Sequence, residues 1–405
     1  MKRDLTLIAV SMFAWGLGEG MFLYFQPIYL QQMGADAIAI GTILGGFGLA
    51  MTVSHIPAGY LADRFGRKPI LLSAWLFGLA ATWVMALASN LAVFVAGMLL
   101  YGITMFVMSP LQSYLAAARE NLSVGRVLTL ISASYNLGAV IGPWLGGRVG
   151  EQVGIRQTYY IAGSIFVLST LVILFIRPQP VERIPQEGAE RRWYKSYRYL
   201  IFLGIIFVSI FSMYLPVPLS PNFLTNQAGL SLSRVGMLYS LFSLGVVSLN
   251  LILGAIPAWA GFLMAQLAVG VFALLMWRGE GFPWYALGYL LLGGYKTARS
   301  LGSALMRELA PSSQMGLAFG ISETVASLAV IGAPVAAGFL YARNPLMMYI
   351  VSIILILLSI LLSAIFSPRP LPEECLRGDP LNPALLKVEE EQASRLDVMV
   401  EPPGG

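Results

Sequence analysis

Gly59-Tyr60-Leu61-Ala62-Asp63-Arg64-Phe65-Gly66-Arg67-Lys68 is a short charged stretch set between two long apolar runs. A helix needs about 20 apolar residues to cross the hydrocarbon core of a bilayer. Asp63, Arg64, Arg67 and Lys68, placed between two such runs, are therefore expected in a tight loop at a membrane surface. Cations gather in the loops that stay on the cytoplasmic side. Orientation explains the sign of the charge, but neither the glycines Gly59 and Gly66 nor the acid Asp63. Gly59 removes a side chain where one helix can approach another. Asp63 can face the positive end of a neighbouring helix while pairing with a cation, and Arg119 is the partner expected for it.

Working outward, the composition asks for the same solvent. Of 405 residues, 57% are hydrophobic and 11% charged, too little polar surface to clothe a soluble fold of that length. In lipid the backbone must satisfy its own hydrogen bonds, so the spans are expected to be helices. Apolar runs predict them near Leu5–Leu30, Ala37–Ala62, Pro69–Ser89, Leu91–Ala117, Val127–Val149 and Tyr159–Ile176. Six more follow near Tyr199–Leu224, Leu232–Leu253, Ile256–Trp277, Pro283–Met306, Met315–Tyr341 and Leu346–Phe366. Twelve spans put both termini on one side. Lys2, Arg3, Arg64, Arg67, Lys68, Arg119 and Arg126 fall in inner segments and Arg148 and Arg156 in outer ones, so the termini are expected in the cytoplasm.

The chain thus divides into a six-helix half at 1–176, a cytoplasmic linker at 177–198, a second six-helix half at 199–366, and a Pro-, Glu- and Gly-rich tail at 367–405, expected to be disordered. The halves echo one another. Arg119-Glu120 after span four recurs as Arg307-Glu308 after span ten, and Pro143-x-x-Gly146-Gly147 in span five recurs as Pro334-x-x-Ala337-Gly338 in span eleven, at nearly the same offset. Paired halves with a site between them are the build of parallel-repeat transporters. The turn after span eight lacks the charged pattern of residues 59–68, so that loop is not duplicated.

Other classes fit poorly. The net charge of +5 sits in short loops at one face rather than in a nucleic-acid patch. Cys375 stands alone, excluding an intrachain disulfide, and the single His55 has no cysteine near it to build a zinc site. No nucleophile–base pair, metal cluster or phosphate loop is visible, so neither an enzyme nor a cofactor is expected.

The stretch 59–68 resembles the signature loop between the second and third helices of the major facilitator superfamily. Gly138-x-x-x-Gly142-Pro143-x-x-Gly146-Gly147 resembles the antiporter motif of that superfamily's drug/proton branch. Read from the residues alone, small side chains four apart let helices meet closely and the proline bends the helix. The resemblance, over roughly residues 1–366, implies an all-α membrane protein of twelve transmembrane helices in two pseudo-symmetric six-helix bundles. It implies a monomer in a plasma or bacterial inner membrane. It also gives gating roles to Gly59, Asp63, Arg64, Gly66, Arg67 and Lys68 with Arg119, acting as a latch for the state closed on the inner side, and to Gly138, Gly142, Pro143, Gly146 and Gly147. One feature departs: the arginine that the branch carries four residues before a glycine in span four is Met98 here, ahead of Gly102. That leaves open a different coupling route, or facilitated diffusion.

Charges inside spans are the sharpest signal, since each costs about 2.5–3.5 kcal/mol at the middle of a helix. Glu19, Lys296, Arg299 and Glu323 are of this kind. Arg299 and Glu323 lie at equal depth on adjacent spans, which predicts a salt bridge. Trp15, Glu19, Phe22 and Gln26 share one face of span one, and Tyr101, Met105, Met108 and Gln112 repeat the spacing in span four. Tyr289, Gly293, Lys296 and Ser300 do so in span ten. In the superfamily, spans one, four, seven and ten surround the central cavity, so the resemblance makes these stripes its wall. In span seven, Pro216, Pro218 and Pro221 are expected to loosen the outer half of the helix.

These readings lead to a secondary transporter that moves a small organic molecule by alternating access, exporting drug-like compounds in exchange for protons with Glu19 as the coupling acid. An uptake carrier for a sugar, peptide or organic anion is the alternative, and Lys296 and Arg299 would serve it. A non-transporting membrane sensor or assembly partner is the alternative from another class.

Overall fold

The computed structural model describes residues 2–118, 122–178, 197–306, 309 and 315–368, with side chains at all of these except 2, 55–65, 108, 109, 116, 124, 125 and 315–317. Contacts divide the chain into a unit Met1–Ser367 and a unit Pro368–Gly405. The side chains of Gly59, Asp63, Arg64 and Met108, all of Arg119 and Arg307-Glu308, most of the linker and nearly all of the tail lie outside the described residues.

Every regular element among the described residues is helical, and together they make twelve spans. All eight outside the central set are single helices of 20 to 30 residues, seven of them being Arg67–Leu87, Val124–Val153, Ile155–Leu174, Leu232–Leu253, Ala258–Arg278, Met315–Arg343 and Met347–Phe366. The eighth, Ala37–Phe65, carries the first part of the charged motif on its last turns. Their starts follow local chemistry. Asn90, Ser123 and Ser231 each accept a hydrogen bond from the backbone N–H three residues on, giving spans four, five and eight their caps. Gly66 ends span two and begins span three at φ +86°, a conformation that L side chains rarely adopt. The second glycine of the motif is therefore demanded by the tightness of its loop.

The other four spans are interrupted near mid-depth. Span one is Lys2–Phe22, a 3-10 turn Leu23–Phe25 and Gln26–Gln32, and span four is Leu91–Ile103, a 3-10 turn Thr104–Val107 and Met108–Ala117. Span seven stops at Tyr214 and resumes at Ser220–Asn226 beyond the prolines at 216 and 218. Span ten is Phe282–Leu292 and Gly294–Met306, divided at Gly293. Neither piece of span ten crosses a bilayer alone, so among the described residues 11 segments meet the length and hydropathy of a membrane span. Large apolar side chains such as Leu168 and Leu251 cover the outside, as lipid contact requires.

Each half is tied by a buried polar knot. In the first, the Trp75 indole N–H donates to Ser11 Oγ (2.9 Å) and Ser169 Oγ (3.1 Å), joining spans one, three and six. In the second, Ser209 and Ser359 share a hydrogen bond of 2.6 Å, Ser359 donates to Gln266 Oε1 (2.8 Å), and Gln266 Nε2 donates to Ser363 (3.0 Å), joining spans seven, nine and twelve. In a medium without water, such groups have to find one another.

The halves meet most closely at the end away from Lys68 and Arg126. There a Cβ on Gly147 of span five would fall 3.2 Å from the Cα of Gly236 in span eight, and one on Gly41 of span two would fall 3.1 Å from the Cα of Gly338 in span eleven. Close approach of backbones is the reason for glycine at Gly147. At the same end, Gln31 Oε1 accepts from Asn222 (2.6 Å) and Asn226 (3.0 Å), and Glu151 accepts from the backbone N–H of Ser233 at the start of span eight (2.8 Å).

Candidate functional site

Between the halves lies a cavity of about 480 Å³, lined from the first half by Met12, Trp15, Glu19, Tyr24, Met105, Ser132, Tyr135 and Asn136 and from the second by Phe242, Ser243, Asn250 and Lys296. A lobe of about 230 Å³ continues it through Tyr24, Phe47 and Phe242 to Gln26, Tyr214, Tyr239, Tyr295 and Arg299. Lys296 lines both. The volume and the mixture of aromatic wall with few polar groups are those of a small-molecule site.

Glu19 is 5% exposed, and the Tyr135 hydroxyl donates to its Oε2 at 2.7 Å. The buried hydroxyl of Tyr101, which makes no hydrogen bond among the described residues, is a near neighbour of the same carboxylate. Among the described residues no ion pair joins Glu19 to Lys296, although both line the cavity. The Lys296 ammonium lies 5.7 Å from the centre of the Tyr295 ring. Arg299, by contrast, donates to Glu323, making the salt bridge that equal depth predicts. Around them Tyr24 stacks on Tyr239 at 4.1 Å, and Trp15 stacks on Phe166 at 4.2 Å.

The stripes are brought together only in part. Trp15, Glu19, Met105 and Lys296 face the main cavity, and Gln26 and Arg299 face its second lobe. Phe22 does not: it is fully buried in the first half, edge-on to Tyr101 and near Tyr159. Tyr101 sits behind Trp15 with its body buried, and Gln112 is exposed and lines neither lobe. For Gln112 the physical reason is the 3-10 turn Thr104–Val107 that its stripe crosses, whereas Phe22 precedes the turn in its own span and lies at the edge of its stripe, turned toward Tyr101 and Tyr159. A 3-10 turn advances each residue by a larger angle than an α-helix, so a stripe counted at α-helical spacing loses phase across it. Glu323 borders a small pocket within the second half rather than the main cavity.

The span-five motif has two faces. Gly138, Gly142 and Gly146 pack against span one, where a Cβ on Gly142 would lie 2.9 Å from the Cα of Gly20 and a Cβ on Gly20 would lie 2.8 Å from Pro143 Cδ. Gly147 turns to span eight instead. The same segment thus holds the helix of Glu19 and forms a contact between halves.

A family model described as Major Facilitator Superfamily matches residues 8–217 and 201–387. The chain belongs to this superfamily. The multidrug resistance protein 2 of Bacillus subtilis is 21% identical over 85% of this chain and 90% of its own length. An MFS-type transporter of Methanocaldococcus jannaschii is 29% identical over 42% of this chain, and the multidrug resistance protein MdtG of Citrobacter koseri is 29% identical over 45%. In those two alignments the chain spans about half of the relative, 45% and 47% of its length. Among solved structures, a variant of the nucleoside transporter NupG aligns with a TM-score of 0.76 at 14% identity, covering 90% of this chain and 98% of that one. The human organic anion transporter MFSD10 aligns at 0.65 and 18% identity, covering 89% and 99%. These likenesses establish the superfamily fold of twelve helices, and this member of the superfamily is a multi-pass membrane protein.

Several lining residues of this superfamily member were not singled out by sequence reasoning: Tyr135, Ser132, Asn136, Tyr24 and Asn250. A signal was present in span five, where Ser132, Ser134, Tyr135 and Asn136 crowd polar groups into a bilayer-spanning helix.

Proposed function

We propose that the chain is a secondary active transporter that exports a small drug-like molecule by alternating access, in exchange for a proton carried on Glu19. The observation that carries this reading is the buried Glu19 carboxylate, held by Tyr135 and facing a cavity between the halves. A carboxyl kept from water and fixed by one donor can trade a proton for a cationic group, and the aromatic and methionine wall adapts to varied apolar bodies. The contacts at Gly147, Gly41 and Gln31 close one end. Separation of those contacts and closure at the opposite end would carry the site from one side of the membrane to the other.

Residues 1–176 and 199–366 would move as the two bodies, joined by the linker 177–198, with the tail 367–405 and both termini in the cytoplasm of a plasma or bacterial inner membrane. Gly59, Asp63, Arg64, Gly66, Arg67 and Lys68 with Arg119 would form the latch at the cytoplasmic end. The unit that transports is the monomer. The multidrug resistance proteins among the relatives support drug efflux as the direction.

The test is proton release from the purified protein in detergent when lipophilic cations, sugars and organic acids are added, with Glu19→Gln beside the wild type. Release on adding a cation, lost in the variant, is the expected result. Binding without release, or release indifferent to Glu19, would overturn proton exchange. A second reading, an uptake carrier for an organic anion, is favoured by one specific observation: Lys296 reaches the cavity without a carboxylate partner among the described residues.

A further inference from the structure

Four charged side chains border the two lobes and the small pocket beside them, and they are not equivalent. Arg299 is answered by Glu323, so that cation is already compensated. Glu19 and Lys296 are left facing one cavity with no ion pair between them among the described residues. Lys296 also stands where the two lobes join, and the other residues common to both lobes are Leu23, Tyr24, Phe47, Met51 and Phe242, an apolar and largely aromatic wall.

Charge in a low-dielectric space must balance. Once Glu19 has given up its proton, its carboxylate and Lys296 compensate one another across the cavity, as Arg299 and Glu323 do by contact. A ligand carrying one positive charge would unbalance that set and meet the Lys296 ammonium as a like charge. A ligand carrying both signs adds no net charge, and each of its ends replaces the water that the unpaired protein group otherwise needs. Accepting the transport reading above, we propose that the cavity takes an aromatic zwitterion, its acid group on Lys296, its cationic group on Glu19 and its ring system against Tyr24, Phe47 and Phe242. Lys296 is then the residue that sets substrate class. Arrival of the cationic end at Glu19 expels the proton held there, so the zwitterion and the proton exclude one another at a single carboxylate.

The probe pair is tetramethylrhodamine, a zwitterion, and its methyl ester, the same ring system as a cation. Fluorescence anisotropy with the full-length purified chain at neutral pH gives the affinity for each. The wild type is expected to bind the zwitterion about tenfold more tightly, the scale of one hydrogen bond to a charged group. Lys296→Gln is expected to remove the preference by weakening the zwitterion and tightening the ester, and Lys296→Arg to keep it. A wild type that binds the ester as well as the zwitterion overturns the proposal, and so does Lys296→Gln weakening both dyes alike. The wild-type ratio needs no variant and decides the matter even where a substituted chain fails to fold. Reconstituted vesicles separate this proposal from the reading beneath it. Proton-driven extrusion of the ester indifferent to Lys296 overturns the zwitterion and leaves transport standing. Zwitterion binding that depends on Lys296, with neither dye moved across the bilayer, upholds the assignment and overturns transport.

Discussion

The polar knot of the first half, Ser11 with Trp75 and Ser169, has its counterpart in the second, Ser209 with Gln266 and Ser359, on the corresponding spans one, three and six and seven, nine and twelve. Tyr101 in span four and Tyr289 in span ten correspond as well, both fully buried. The charges do not follow this symmetry. Span one carries Glu19 where span seven has no acid at all, and span ten carries Lys296 and Arg299 where span four has no charge. The repeated knots tie helices together within each half, whereas Glu19 and Lys296, which do not repeat, face the cavity. The asymmetric residues are therefore the ones to perturb for function, and the symmetric ones for stability.

The largest effect expected of that division is at Glu19. Glu19→Gln should lower proton-coupled flux on the order of a hundredfold, the scale of losing a positioned proton acceptor, while the protein still reaches the membrane. Flux measured in vesicles with an imposed pH gradient checks it, and normal flux would erase the functional side of the comparison. Next, Gly147→Val forces a side chain between spans five and eight, where overpacking costs about 1–3 kcal/mol. Because Gly147 touches the other half, that cost should appear as a shift toward the state open at this end, read as raised labelling of a cysteine placed at Asn222. Gly142→Val, which strikes span one within its own half, should lower the melting temperature instead.

Smaller changes sharpen the contrast. Glu323→Gln leaves Arg299 without its partner. With the two side chains 31% and 49% exposed, the loss should be about 1 kcal/mol, seen as a modest fall in melting temperature and recovered by exchanging the two charges. Least of all, Ser169→Ala and Ser359→Ala should each cost about 0.6 kcal/mol, typical of side-chain hydrogen bonds inside membranes. The two should be alike. A Ser169 variant far more damaging than its Ser359 counterpart would mean that the knots are not equivalent.

Much of this was legible in the sequence because lipid leaves the backbone few choices. Span count, the short turn around Gly254–Pro257, the proline break in span seven and the pairing of Arg299 with Glu323 all follow from length, proline chemistry and the cost of buried charge. The candidate site was legible in its charges and less so in its walls. Gln112 falls out of its stripe because Thr104–Val107 is a 3-10 turn, which no proline or glycine there marks, and Phe22 falls out of its own because the edge of an α-helical stripe faces either the cavity or the neighbouring helices, a choice that spacing does not make. Tyr135 escaped for a different reason: a tyrosine inside a span carries no charge to flag it, and its meaning depends on which residue from another span meets its hydroxyl.

Lys296, which makes no ion pair among the described residues, also has an electrical consequence through the cavity it shares with Glu19. Exchange of a monocation for a proton moves no net charge, and the membrane potential cannot drive it. Exchange of a zwitterion for a proton carries one elementary charge inward per cycle, worth about 2.3 kcal/mol for each 100 mV. A transporter built around these two side chains would be powered by voltage as well as by pH, and would continue to export when the two sides of the membrane differ in potential alone.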